Sequence, residues 1–241
     1  ANLKPFSTYE TNIRGTYTLL DSINSNKKNI KSVLVASSDK VYGNYPKKYL
    51  PYKEDYKLKA TYPYEVSKAS CDMISKSFSG ELFNLPIIIT RFTNIFGPGQ
   101  LNFSALIPDI IKTVILNKTF TPRGDGTAIR DFIYVKDIVS IYLLLSEKLY
   151  KNKKFSGEIF NAGTNKPITV KKVIERILIR NNKKKELKKI LKLIKEKKTK
   201  GEISFQFMDC KKINKYFKWK PHYSFDKGIK ETLNWYTKYL K

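Results

Sequence analysis

Two runs, SVLVAS at 32–37 and IIITRF at 87–92, set the tightest limit on what this chain can become. Each is short and built on an unbroken apolar stretch, VLVA at 33–36 and III at 87–89, with β-branched residues in it, and each is flanked by segments whose apolar residues recur every three or four positions. A strand that is apolar on both faces needs cover on both faces, and a parallel sheet between layers of helices supplies it. An α/β fold is therefore expected. Its helices are Ser7–Ile23 (Tyr9, Ile13, Tyr17 and Leu20 on one face), Tyr64–Leu82, Leu106–Leu116, Ile138–Leu149, Val170–Ile179 and Asp226–Leu240. Its strands are Ser32–Ser37, Ile87–Phe92, Glu158–Ala162 and Ile203–Met208. The pattern breaks at GPGQLNFS, which places a boundary near Phe96 and a smaller lobe beyond it.

Composition removes several function classes. With 241 residues and 41% hydrophobic content, the chain can build one sizeable core, or a core and a lesser lobe. The net charge of +26 suggests a polyanion partner, but arginine accounts for only six of the 47 basic side chains, and nucleic-acid readers favour its planar fork. The one dense basic run, KKKELKKILKLIKEKKTK at 183–200, carries Leu187, Ile190, Leu191 and Ile194 at helical spacing and reads as an amphipathic helix with a solvated lysine face. No nucleic-acid partner is expected. No membrane partner is expected either: the most apolar stretch, LFNLPIIITRF, is interrupted by Asn84 and Pro86 and is far short of the roughly 20 residues a spanning helix needs. The opening ANLKPFSTYETN has no apolar core of signal-peptide type and no initiator Met, so the chain reads as a cytoplasmic piece of a longer polypeptide. Cys71 and Cys210 read as reduced thiols. His222 is the single histidine, which argues against a histidine-based triad and against a metal cluster.

Ligands of open α/β sheets bind beyond the carboxyl ends of the strands. There the two buried runs end in SSDK (37–40) and RFTN (91–94). A tyrosine and a lysine four apart share a helix face, and an ammonium beside a phenol favours the phenolate, a general base. The spacing alone does not discriminate, because Tyr49–Lys53, Tyr64–Lys68, Tyr150–Lys154, Tyr216–Lys220 and Tyr223–Lys227 all have it. Context singles out Tyr64–Lys68, which opens a helix after Pro63, follows SSDK by one loop and precedes the second buried strand. No glycine-rich G-x-G-x-x-G or G-x-x-G-x-x-G turn of the kind that cradles a pyrophosphate occurs in the chain.

The series SSDKVYG, YEVSK, RFTNIFGPG, LNFSALIPDIIK, GDGTAIRDFIYVKD, IFNAGTNKPITVKKV and WKPHYSFDKGIKETLNWY, in that order, resembles the extended short-chain dehydrogenase/reductases in their NAD-dependent epimerase/dehydratase branch. The resemblance implies a Rossmann-like parallel sheet lacking its glycine-rich first βαβ portion. Residues 1–96 would be the C-terminal part of an NAD-binding domain. Residues 97–241 would be mainly a substrate lobe, with some segments returning to the sheet. It implies bound NAD, with NADP the lesser candidate, and a nucleotide-diphosphate sugar as substrate. Tyr64 would take the proton of the sugar C4 hydroxyl. Lys68 would hold the nicotinamide ribose and depress the Tyr64 pKa, and Ser38 would steady the C4 oxygen. Asn12 and Thr93 would lie by the cofactor, Asn94 and Arg130 by the diphosphate, and Leu106, Ile107 and Pro108 by the base. Asp39 and Lys40 resemble the pair of a 4,6-dehydratase: Asp39 as acid to the departing O6, Lys40 as base at C5 or as a charge that stabilises the enolate. The Asp-Lys version resembles the CDP-glucose 4,6-dehydratases most. A 4-epimerase is the alternative, and a non-catalytic nucleotide-sugar binder the second. A homodimer through the Ser7–Ile23 and Tyr64–Leu82 helices follows from the same kinship. Plainer roles stand beside these: Ser38 as a turn cap, Asn94 as a loop residue with local backbone bonds, Asp39–Lys40 and Arg130–Asp131 as surface pairs.

Overall fold

A computed structural model describes residues 3–197 and 203–241. In chain order its elements are α1 (Pro5–Tyr9), α2 (Gly15–Ser25), β1 (Val33–Ala36), α3 (Pro63–Ser79), β2 (Ile87–Phe92), β3 (Asn94–Phe96), α4 (Leu106–Ile115), β4 (Ile129–Arg130), β5 (Phe132–Tyr134), α5 (Val135–Lys151), β6 (Ile159–Ala162), β7 (Ile168–Thr169), α6 (Val170–Arg180), α7 (Lys184–Lys195), β8 (Phe205–Gln206), α8 (Lys211–Phe217) and α9 (Phe225–Leu240). The chain forms two compact units. Residues 1–93, 139–163 and 208–220 make the first; 94–138, 164–207 and 221–241 make the second.

In the first unit β1, β2 and β6 form a parallel sheet in the order β1-β2-β6. β2 is buried along its whole length, as a central strand covered on both faces must be. Leu20, Leu85, Ile87 and Ile89 form one apolar layer on it. α1 and α2 are joined by a π-helical turn, Glu10–Arg14, so the expected single helix carries a local widening. Leu20 is buried on its inner face, while Tyr17 stays 45% exposed. Cys71 and Cys210 are buried and form no disulfide.

The second unit holds the parallel pair β3-β5 and the mixed sheet β7-β4-β8. Its core gathers Ile107, Ile110, Ile111, Phe120, Val173, Ile174, Ile177, Ile190, Ile229 and Tyr236 from α4, α6, α7, α9 and the loops between. The lysine-rich run becomes α7, with Ile190 and Ile194 turned inward; residues 198–200 of that run lie outside the described residues. The expected strand Ile203–Met208 narrows to Phe205–Gln206, because only these two residues pair with β4, and Met208 bridges to Tyr52 in the first unit. Among the described residues no helix is long and apolar enough to cross a membrane.

The turn after β1 is held by Gly43. Its φ of +64° with ψ of −150° belongs to a region that only glycine enters without strain. A Cβ there would stand 2.0 Å from the Lys59 carbonyl oxygen. The Tyr52 hydroxyl donates to the Gly43 carbonyl at 2.7 Å, and the Tyr42 and Tyr52 rings stack at 4.8 Å. Gly43→Ala is expected to cost about 1–3 kcal/mol from backbone strain alone, with displacement of Lys59 added to it. A urea unfolding midpoint unchanged from the native chain would contradict this account.

Candidate active site

The polar end of β1 folds as its residue types require. Ser38 is extended and caps a single 3₁₀ turn, Asp39–Tyr42, its Oγ accepting the Lys40 N–H at 3.2 Å. The Ser38 hydroxyl donates to Asp39 Oδ1 at 3.2 Å. Both side chains are buried, Asp39 to 3% exposure, so Asp39–Lys40 is not a surface pair. Ser38 does serve as a turn cap, and this role coexists with its place in the cluster. Lys40 brings its backbone N–H to the cluster.

α3 starts where its sequence says it should. Pro63 occupies the first helical position, and the Glu65 carboxylate accepts the N–H groups of Thr61 (3.0 Å) and Tyr62 (3.3 Å). This start aims Tyr64 at the end of β1, where its phenol is within hydrogen-bonding influence of Ser38 and feels the Asp39 charge. Lys68, one turn later, donates to the Ala36 carbonyl at 3.0 Å. The Tyr64 pKa is raised rather than depressed. Burial raises it most, the Ser38 hydrogen bond lowers it, and the Asp39 and Cys71 charges raise it further. Lys68 is not among these causes.

Asn12 sits in the π-helical turn. Its carboxamide donates to Ser67 Oγ at 2.9 Å, and its carbonyl accepts from Thr16 Oγ1 (2.6 Å) and Cys71 Sγ (3.2 Å). Ser67 Oγ in turn donates to the Tyr64 carbonyl at 2.8 Å, so Asn12 braces the first turn of α3. Thr93, at the end of β2, is 4% exposed, and its hydroxyl has no hydrogen-bond partner among the described residues.

In the second unit, Asn94 donates both its backbone N–H (3.2 Å) and its carboxamide (3.0 Å) to the Asp131 carbonyl, the local bonding of a loop residue. Arg130 is 5% exposed on β4 between β7 and β8 and donates to the Ile129 carbonyl at 2.9 Å. Asp131 is fully buried and accepts the N–H groups of Thr164 (2.7 Å) and Asn165 (3.1 Å) as well as the Thr164 hydroxyl. Arg130–Asp131 is thus no surface ion pair. Leu106 lines a cavity of about 190 Å³ with Asp109, Phe120, Arg123 and Ala128. Ile107 is 1% exposed and packs into the core, since α4 must bury one face. Pro108 is buried and is not among the residues lining that cavity.

Sequence reasoning missed a buried network beneath this site. Arg91, next to the carboxyl end of the central strand, donates Nε to Asp72 Oδ2 at 2.7 Å and approaches it with Nη2 at 2.6 Å. Its Nη1 donates to the Tyr42 hydroxyl at 2.8 Å, and that hydroxyl donates to Asn161 Oδ1 at 2.7 Å. The signal was present: an arginine inside a β-branched strand requires a buried partner, and Asp72 repeats the Tyr64–Lys68 spacing.

Comparison with known proteins gives the family. Residues 2–232 match the family model described as GDP-mannose 4,6 dehydratase. The chain is 30% identical to the dTDP-glucose 4,6-dehydratase of Haemophilus influenzae over 94% of its own length and 69% of that protein's. It spans 64% of the dTDP-D-glucose 4,6-dehydratase of Homo sapiens, at 28% identity over 97% of its own length. Among solved structures it is similar to the dTDP-glucose 4,6-dehydratase of Bacillus anthracis in complex with NAD, with a TM-score of 0.82, 32% identity and coverage of 95% of this chain and 68% of that one. A Ser-Asp turn at the end of a parallel strand, a tyrosine and lysine one helical turn apart facing it, and a match along nearly the whole length lead to one assignment: the chain belongs to the GDP-mannose 4,6-dehydratase family of nucleotide-sugar dehydratases and epimerases.

Proposed function

We propose that the chain carries the catalytic residues of a nucleotide-sugar 4,6-dehydratase that works with NAD. The observation that carries this reading is the convergence of Ser38, Asp39 and Tyr64 at one strand end, because a buried carboxylate beside the Ser–Tyr pair is what water loss needs and a simple epimerisation does not.

The residues suit the nicotinamide-ribose end of the cofactor. Lys68 has three N–H donors and gives one to Ala36, and the Thr93 hydroxyl is buried without a partner at the end of the neighbouring strand. Lys68, Tyr64 and Thr93, with Asn12 bracing α3, are the residues that would hold it. When bound, NAD would supply reversible hydride acceptance at the sugar C4. Tyr64 as phenolate removes the C4 hydroxyl proton, while Ser38 hydrogen-bonds the same oxygen and lowers the cost of the phenolate. Asp39, as the acid, protonates O6 as it departs, and Lys40 takes the C5 proton or steadies the enolate charge. In the second unit the Leu106 cavity is the subsite for the nucleotide base, and Arg130 pairs with the diphosphate. The bases read in the names of the relatives are dTDP and UDP; the Asp39–Lys40 pair favours CDP-glucose. A homodimer through α2 and α3 belongs to the same reading, supported by the outward Tyr17, Leu19 and Met73. The site of action is cytoplasmic.

The test is incubation of the full-length protein, since this chain by itself lacks the glycine-rich cofactor turn, with NAD and, separately, CDP-, dTDP- and UDP-glucose, following the alkaline absorbance of a 4-keto-6-deoxy sugar and the C4 epimer by NMR. Formation of the keto-deoxy product supports the proposal, and Asp39→Asn should then slow water loss about 10²–10⁴-fold while slowing C4 oxidation far less. A C4 epimer as the product overturns the dehydratase reading.

A further inference from the structure

We propose that Tyr42 is a positioning residue for Asp39: its buried hydroxyl moors the 3₁₀ turn that carries Asp39 to β2 and β6, and so fixes where the Asp39 carboxylate stands. The inference rests on the reading of Asp39 as the acid of water loss, but the mooring itself is measurable without turnover.

Ser38 and Asp39 are neighbours held by different means. The Ser37 N–H donates to the Thr90 carbonyl at 2.8 Å, so the β1–β2 ladder runs up to Ser38. Asp39 opens the turn beyond that ladder. The backbone bonds of the turn itself are long. The Val41 N–H reaches the Ser38 carbonyl at 3.3 Å and the Gly43 N–H reaches the Lys40 carbonyl at 3.1 Å, against about 2.9–3.0 Å for an ordinary N–H to carbonyl bond.

Shorter bonds hold the far end of the turn. Tyr42 closes it, three residues after Asp39, and is fully buried. Its hydroxyl accepts Arg91 Nη1 at 2.8 Å and donates to Asn161 Oδ1 at 2.7 Å. Both partners are themselves fixed. Arg91 gives Nε to Asp72 at 2.7 Å and shares Nη1 with the Glu54 carbonyl at 3.2 Å. Asn161 gives its backbone N–H to Glu54 Oε1 at 3.0 Å and its carboxamide N–H to the Tyr52 carbonyl at 3.2 Å, which turns Oδ1 toward Tyr42. One residue on, the Gly43 carbonyl accepts the Tyr52 hydroxyl at 2.7 Å. A ring that only filled the core would be served by Phe, because a buried hydroxyl is costly unless paired. Here the hydroxyl is paired on both sides, to side chains of two different strands, and the turn between it and the β1 ladder is the one that bears Asp39.

Two readouts on Tyr42→Phe in the full-length protein decide the matter. Amide hydrogen exchange, read by peptide mass spectrometry, should quicken about tenfold over residues 39–43, with residues 33–36 of β1 unchanged. With NAD and the nucleotide sugar that the native protein turns over, water loss should slow about 10–100-fold, while single-turnover C4 oxidation changes less than about threefold and KM holds, so that the absorbance of reduced cofactor builds up. A role in stability alone would produce no such division between the two steps. Tyr52→Phe removes the bond to Gly43 and leaves the Tyr42 hydroxyl in place; it should move both readouts in the same direction by a smaller factor, and it stands in if Tyr42→Phe does not fold. Folded variants whose turn exchanges at the native rate, or in which water loss is unimpaired or slows equally with C4 oxidation, overturn the proposal. Faster exchange in Tyr42→Phe, beside a native protein that forms no keto-deoxy sugar, would overturn the dehydratase reading and leave the mooring standing.

Discussion

Arg91→Met is expected to destabilise the chain by about 3–5 kcal/mol, the largest stability effect of any single substitution considered. The substitution preserves length and apolar character, so it leaves little cavity. It strands the Asp72 carboxylate in the interior, 2% exposed, with its Oδ2 deprived of both guanidinium donors. It also removes the donor that fixes the Tyr42 hydroxyl and with it the tie to Asn161. Replacing both members, Arg91→Met with Asp72→Leu, should recover most of the loss, because the desolvation cost of the pair disappears with its attraction. Chemical denaturation of the two variants measures this directly. Equal destabilisation in single and double variants would show that packing around Arg91, rather than the stranded charge, dominates.

Tyr64→Phe is expected to reduce C4 oxidation by about 10²–10⁴-fold, with little effect on folding. The side chain is 39% exposed, so loss of its hydroxyl opens no cavity in the core. In the chain without cofactor, burial and the Asp39 charge hold the phenol above its ordinary value of 10, and the Ser38 hydrogen bond opposes them. The phenolate is the working form, so the rate of C4 oxidation should rise with pH from neutrality upward. Ser38→Ala should displace that rise to higher pH, since it removes the lowering influence. Single-turnover reduction of NAD across a pH series is the measurement. A flat profile, or an unimpaired Tyr64→Phe, would remove Tyr64 from the role of base.

Much of the arrangement was legible before the structure. Short apolar, β-branched stretches announced β1 and β2, and β2 spans Ile87–Phe92 as expected. The helix periodicities located α3, α4, α6 and α9 to within a few residues at each end. The order of the motifs pointed to the family. The short strands β3, β4, β5 and β7 were not legible. Two or three residues carry too little periodicity to register, and these strands exist because their partners are brought alongside.

By itself the sequence determined which residues stand at the strand ends: Ser38 and Asp39 after β1, Thr93 after β2, and the Tyr64–Lys68 pair at the head of α3. These follow from local pattern, from Pro63 and Glu65 starting the helix, and from Gly43 turning the chain. Only the tertiary structure decided what each of them meets. The Lys68 ammonium lies on the Ala36 carbonyl, the Tyr64 phenol beside Ser38 and Asp39, and Arg91 holds Asp72 beneath them. The physical reason is that a side chain's pKa and reach depend on burial and on partners distant in sequence. Ala36 and Lys68 are 32 residues apart, and Tyr42 and Asn161 are 119 apart. No local pattern encodes such distances, and packing three parallel strands against α3 sets them.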